Sequence, residues 1–209
     1  MPTLTGLAPD PRQLGYRLVE VDRGRFASLP LTALEPLGLA VGAALEPAAL
    51  NRLRDLADVE AAHRAALRAL ARRAYARGDL RRRLVKRQHP PAAVDAALER
   101  LMSGGLLDDG RFAEQYAALR ATRGKGPARL LRDLLAQGVE QRTAEQAVQR
   151  ALDEEAIDPR VEARAIATKR ARQLAGVPPP IRKRRLMAFL LRRGYTGAQV
   201  RALVEELCR

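Results

Sequence analysis

The sequence predicts a mainly all-α protein: tandem three-helix repeats in an elongated array, with a small N-terminal cap that contains a β-hairpin. Three observations predict it. First, setting Gly138 against Gln88 and Gly194 superposes three segments at offsets of 50 and 56 residues. Leu80, Leu84, His89, Val94, Ala97, Leu98 and Leu101 then fall on Leu130, Leu134, Val139, Ala144, Ala147, Val148 and Ala151. In the last copy they fall on Leu186, Leu190, Tyr195, Val200, Leu203, Val204 and Leu207. A period of this length, with two or three helices in each unit, signifies a repeat array rather than one globule. Second, Phe, Tyr and Trp make up only 3% of the chain, so its cores are built from Ala, Leu and Val. Such helices bury little area each, which makes the repeats depend on one another. Third, the N-terminal segment lacks the helical period and alternates instead.

In chain order, residues 1–58 form the cap. Arg17–Val21 alternates, Asp22-Arg23-Gly24 punctuates, and Arg25–Leu29 follows, which is a hairpin signal with Gly24 expected at positive φ. Leu31–Leu37 reads as a short helix ended by Gly38, and Ala40–Leu45 as a connector or third short strand. Pro47 opens a helix to Arg54. A sheet this small is not stable alone, so it must dock on the first helices. Repeat one, 59–107, starts with an amphipathic helix Val59–Ala76, and Gly78-Asp79 punctuates it. A second helix is built around Leu80 and Leu84, His89-Pro90-Pro91 turns the chain, and a third helix runs to Met102.

Repeat two, 108–157, opens with Asp108 or Asp109 as N-cap, because a short carboxylate satisfies first-turn N–H groups and suits the positive helix end. Its first helix carries Phe112, Tyr116 and Leu119 on one face and stops at Gly124. Gly126-Pro127 restarts a helix whose apolar face is Leu130, Leu131, Leu134 and Leu135, and Gly138 closes it in a left-handed conformation. The third helix spans Thr143 to Leu152, and Asp153, Glu154 and Glu155 read as its solvated end. Repeat three, 158–209, runs from Asp158-Pro159 to Leu174. The break at Ala175–Pro180 accounts for the larger offset before the last two helices, which are separated by Gly194.

Charge is unevenly spread. Residues 1–60 hold six basic and eight acidic residues, net −2; residues 61–209 hold 32 and 16, net +16. The array alone is electropositive and should seek a polyanion or an acidic protein surface. The candidate contacts are Arg72 and Arg73, then Arg81, Arg82, Arg83, Lys86 and Arg87. They continue with Arg123, Lys125, Arg129 and Arg132, with Arg182, Lys183, Arg184 and Arg185, and with Arg192 and Arg193. Only four basic residues are lysines, and arginine's planar fork suits bidentate contacts to carboxylate and phosphate.

Catalytic chemistry is not legible. Ser28 and Ser103 are the only serines, and neither sits in a nucleophile elbow. His63, His89 and Cys208 make no metal-ligand spacing, so no metal or cofactor is expected. His89 fills the slot of Val139 and Tyr195 and reads as a packing residue. Gly124-Lys125-Gly126-Pro127 lacks the leading Gly and the Ser/Thr of a phosphate loop. Asp108-Asp109 reads as helix capping rather than a metal pair. No run of 18 apolar residues and no signal sequence is present, and the lone Cys208 suits a reducing, cytoplasmic setting. The expectation is a protein that binds and does not catalyse.

Gly105-Leu-Leu-Asp-Asp-Gly-Arg-Phe-Ala-Glu114, Arg123-Gly-Lys-Gly-Pro127, Gln137-Gly138-Val139 and Leu190-Leu-Arg-Arg-Gly-Tyr195, in that order and spacing, resemble the bacterial RecX family. The resemblance covers roughly residues 60–209, and the hairpin around Glu20–Leu29 is similar to the family's N-terminal part. It implies a cytoplasmic negative regulator of the RecA recombinase, active in DNA repair, homologous recombination and the SOS response. Such a protein lies in the groove of the RecA–DNA filament and inhibits ATP hydrolysis, strand exchange and co-protease activity. Its implied partners are RecA, the RecA–DNA filament, and single- and double-stranded DNA without strong sequence preference, engaged by a monomer. The clusters at Arg81–Arg87, Arg123–Arg132 and Arg182–Arg185 are then expected to face the filament. Two departures stand out: Ala76 opposite Asp79 leaves the capping box of repeat one incomplete, and Gly110 replaces a better helix former. The alternative reading is a helix-turn-helix-like DNA-binding transcription regulator, although no Asn or Gln stands out on a recognition helix. A third is an adaptor for an acidic protein.

Overall fold

The computed structural model describes residues 1–208 and contains, among them, ten α-helices and one three-stranded sheet. The chain folds into two compact units, Met1–Arg73 with Leu80–Leu106, and Ala74–Asp79 with everything from Leu107 onward. No helix among the described residues is long and apolar enough to cross a membrane.

The first unit begins with an antiparallel meander of β1 (Leu4–Pro9), β2 (Tyr16–Val21) and β3 (Gly24–Pro30). The hairpin is where the alternation predicts it, but its turn is centred differently. Val21 pairs with Gly24, so Asp22 and Arg23 are the two central residues and carry positive φ of 50° and 64°. A two-residue type I′ turn requires this at both positions. Two side-chain contacts hold the strained pair: Asp22 Oδ1 accepts from the Thr3 N–H at 2.8 Å, and the Arg23 N–H donates to Thr5 Oγ1 at 2.8 Å. The third strand is β1, whereas Ala40–Leu45 contributes only an isolated bridge, Thr3 with Ala44.

After α1 (Leu31–Leu34) and a 3-10 turn (Glu35–Leu37) ending at left-handed Gly38, α2 runs unbroken from Pro47 to Leu70. The sequence pattern predicts two helices here, to Arg54 and from Val59. They are one because neither Gly nor Pro interrupts the stretch. The start of α2 packs Leu50, Leu53, Leu56 and Ala57 onto the sheet residues Leu4, Val19 and Leu29, and its later turns pack against α4 (Pro91–Ser103). Glu60, only 3% exposed, is the polar rivet of this contact. Its carboxylate accepts from Arg64 at 3.2 Å and from Arg100 at 3.1 Å. Arg64 also donates to the Ser28 carbonyl at 2.6 Å, and Arg100 to the Tyr16 hydroxyl at 3.0 Å. A buried carboxylate needs partners of this kind to avoid a heavy desolvation penalty. α2 stops before Ala76, which instead joins the second unit's core.

α3 (Arg77–Lys86) follows α2, and the second unit adds α5 (Asp109–Ala121), α6 (Pro127–Gln137), α7 (Gln141–Glu154), α8 (Pro159–Gln173), α9 (Pro179–Arg193) and α10 (Ala198–Leu207). The repeat register is visible residue by residue. Gln88, Gly138 and Gly194 have φ of 68°, 87° and 92°. The leucines two turns before them, Leu80, Leu130 and Leu186, are fully buried. His89 is half-buried in the slot where Val139 and Tyr195 are buried. Asp108 caps α5 through the Arg111 N–H at 3.0 Å, and Asp158 caps α8 through the Arg160 N–H at 2.8 Å. The buried face of α5 is Phe112, Ala113, Ala117 and Ala121, and Leu119 is half-exposed. The small alanines let α5 lie against α7, so Leu119 is not needed there. On α6 the buried pair is Leu130 and Leu134, and Leu135 is 40% exposed. Cys208 is buried in the core of the last repeat.

Candidate nucleic-acid interface

The basic turn after α5 and the end of α9 are adjacent because of a joint between two helix ends. α6 begins without a side-chain cap, at Gly126 followed by Pro127. Its open N–H groups are met instead by the last carbonyls of α9: the Gly126 N–H donates to the Arg193 carbonyl at 2.8 Å, and the Ala128 N–H to the Gly194 carbonyl at 3.3 Å. The end of one helix thus satisfies the start of another, with opposite dipole charges facing. Both glycines are required by this approach. A Cβ on Gly126 would stand 2.6 Å from the Gly194 carbonyl oxygen, and one on Gly194 would stand 2.3 Å from the Arg129 amide nitrogen. Tyr195 packs into the same joint. Burial, reinforced by the Glu162 charge, pushes its hydroxyl pKa up to about 12.

The joint closes a cleft of about 330 Å³ lined by Arg123, Gly124, Lys125, Arg129, Arg192 and Arg193. No carboxylate lines it. Asp133 stands behind, taking Lys125 at 3.1 Å, Arg129 at 2.7 Å and the Tyr116 hydroxyl at 3.1 Å. Burial pushes the Asp133 pKa up, but the bonds from Arg129 and Lys125 outweigh it and hold the carboxyl below its usual range. Arg193 donates to the Gly124 carbonyl at 3.3 Å. Arg123 and Arg192 are exposed and have no ion pair or side-chain hydrogen bond among the described residues. The cleft therefore offers two uncommitted guanidiniums, with Lys125 and Arg129 sharing the one carboxylate of Asp133 and Arg193 held by the Gly124 carbonyl. Such an arrangement can hold a phosphodiester or another anion by charge-assisted hydrogen bonds.

Other candidates lie outside this cleft, and several are occupied. Arg81 makes a two-pronged contact with Asp95 of α4, at 2.6 Å and 2.9 Å. Lys183 is paired with Glu205, and Arg182 donates to the Cys208 carbonyl at 3.1 Å. Arg73, Arg82 and Arg83 each have an intramolecular interaction. Arg72, Lys86, Arg87, Arg132, Arg184 and Arg185 are exposed and unpaired among the described residues. The sequence search missed Lys169 and Arg170 of α8. Together with Ile166, Gln173, Phe189 and Arg193 they line a second hollow of about 300 Å³ that shares the Arg193 wall. Their signal, a basic pair near the end of a first helix, is the same one that marks Arg72 and Arg73 in repeat one.

Three family models match the chain in tandem: the first three-helix domain of RecX over residues 62–101, the second over 108–148 and the third over 161–204. The regulatory protein RecX of Halorhodospira halophila is 42% identical over 144 residues, covering 68% of this chain and 86% of that one. The regulatory protein RecX of Pseudomonas savastanoi is 41% identical over 88 residues, 42% of this chain and 57% of that one. A crystal structure of a regulatory protein RecX matches with a TM-score of 0.75 over 99% of this chain and 100% of that one; at 17% identity this is a likeness of fold. With three consecutive domain matches and a relative this similar over most of its length, the chain belongs to the RecX family of regulatory proteins.

Proposed function

We propose that this protein is a negative regulator of RecA that binds, as a monomer, in the groove of the RecA–DNA filament. There it inhibits ATP hydrolysis, strand exchange and co-protease activity. The observation that carries the reading is the carboxylate-free cleft at Arg123, Lys125, Arg129, Arg192 and Arg193, found in a chain of the RecX family with a strongly positive repeat region. A nucleoprotein filament repeats its anionic sites along an axis. A protein with several exposed cationic sites on linked repeats gains affinity by effective concentration, so each contact can be weak. Inhibition then follows from occupancy and needs no catalytic group.

The test is RecA-dependent ATP hydrolysis on single-stranded DNA, measured as this protein is titrated in. Hydrolysis is expected to fall, and the Arg123→Gln/Arg192→Gln variant to need a higher concentration for the same effect. Turnover that stays untouched at saturating protein refutes the proposal.

A further inference from the structure

We infer that the hollow over Phe189 is a base-stacking subsite, and that with the adjoining cationic cleft it forms a site selective for single-stranded polynucleotide. Phe189 sits half-buried on α9 with two guanidiniums near its ring, Arg170 Cζ 5.6 Å and Arg193 Cζ 5.1 Å from the centroid. Lys169, Gln173 and Ile166 complete the hollow, and no carboxylate lines it. Arg193 lines both this hollow and the cleft of Arg123 and Arg192. A strand crossing Arg193 therefore places a base over the aromatic ring on one side and a phosphate among free guanidiniums on the other.

The chemistry selects the ligand. Bases stack on aromatic rings and on guanidinium planes, and every base has a face to offer, so the site reads no sequence. In a duplex those faces are covered by neighbouring base pairs, and only the phosphates remain available. Single strands thus gain both subsites and duplexes one. Aromatic residues are scarce in this chain, and this ring is flanked by three cations, Lys169, Arg170 and Arg193.

This inference rests on the reading of the cleft as a polyanion site, and its test is separable from that reading. Full-length protein is titrated against a labelled thymidine oligonucleotide and against a duplex of equal length, by fluorescence anisotropy without RecA. Phe189→Leu keeps apolar volume and removes the ring; it is expected to weaken oligonucleotide binding about tenfold and leave duplex binding unchanged. Phe189→Tyr should restore it. On the wild-type protein, a 5-iododeoxyuridine oligonucleotide should photocrosslink at Phe189, a readout that does not depend on a variant's folding. Equal binding by Phe189→Leu, or a crosslink that maps elsewhere, overturns the inference. So does displacement by thymidine monophosphate at the oligonucleotide's own concentration. Inhibition of RecA without any oligonucleotide binding overturns the stacking subsite and spares the regulatory reading. Phe189-dependent binding with RecA turnover unaffected does the reverse.

Discussion

Arg123 and Arg192 differ from Arg81 in one respect that an experiment can weigh: Arg81 already spends both prongs of its guanidinium on Asp95, at 2.6 Å and 2.9 Å, whereas the cleft pair has no carboxylate partner among the described residues. Replacing Arg123 and Arg192 together by Gln removes two phosphate contacts. Each contact contributes about 0.7 to the slope of log affinity against log salt on a single strand, so the variant's slope should be shallower by about 1.4. Between about 50 mM and about 200 mM salt the wild type should then lose roughly sevenfold more affinity than the variant. Arg81→Gln should leave the slope unchanged. The fold should survive both changes, since the cleft residues are exposed and Arg192 contributes only about 0.3–1 kcal/mol at a helix C-terminus. Anisotropy titrations on a labelled single strand across a salt series, with thermal melts alongside, give both quantities. A slope unaltered by the double substitution, or one flattened as much by Arg81→Gln, refutes the division between free and committed cations.

Three further outcomes follow from the geometry. Gly194→Ala should cost about 1–2 kcal/mol for the left-handed conformation alone, and more because its methyl meets the Arg129 backbone; a lowered Tm with faster amide exchange at Gly126 and Ala128 checks this. Gln88→Gly should be neutral to stabilising by up to about 1 kcal/mol, because relief of the 68° φ exceeds or offsets the added freedom of the unfolded chain, and a denaturant midpoint that falls would contradict it. Asp109 accepts the Arg77 N–H at 2.7 Å and so supplies the missing cap of α3 from another repeat; Asp109→Ala should cost about 1 kcal/mol, while Asp109→Asn keeps the acceptor. Burial raises the Asp109 pKa against the lowering effect of the Arg77 N–H bond, so the stability linked to its proton, as distinct from the cap, is fully present below the unfolded value and is lost as pH rises through the folded one. That loss should disappear from the pH dependence of Asp109→Asn.

How much of this was legible beforehand depends on the range over which each feature is decided. Spacing alone aligns the turn positions Gln88, Gly138 and Gly194, all three left-handed in the structure, and the buried leucines before them, because a turn residue and an i, i+4 stripe are set within a few residues of chain. Charge bookkeeping likewise locates the electropositive region, since net charge needs no coordinates. Local pattern misplaced the positive φ of the hairpin onto Gly24 and overlooked β1, because which residues are central in a turn, and which strand is third, is settled by pairing across the sheet. It also placed Leu119 on the core face, whereas the face of α5 that packs is Phe112, Ala113, Ala117 and Ala121 and Leu119 is half-exposed. The same holds for function. The sequence by itself determined the repeat, its family and its sign of charge. Tertiary structure alone decided which cations remain free: Arg81 meets Asp95 and Lys183 meets Glu205 across helices, while the docking of Gly194 on α6 sets Arg192 beside Arg123. Each guanidinium's partner lies a turn, a helix or a repeat away, and only folding brings that distance to a few ångströms.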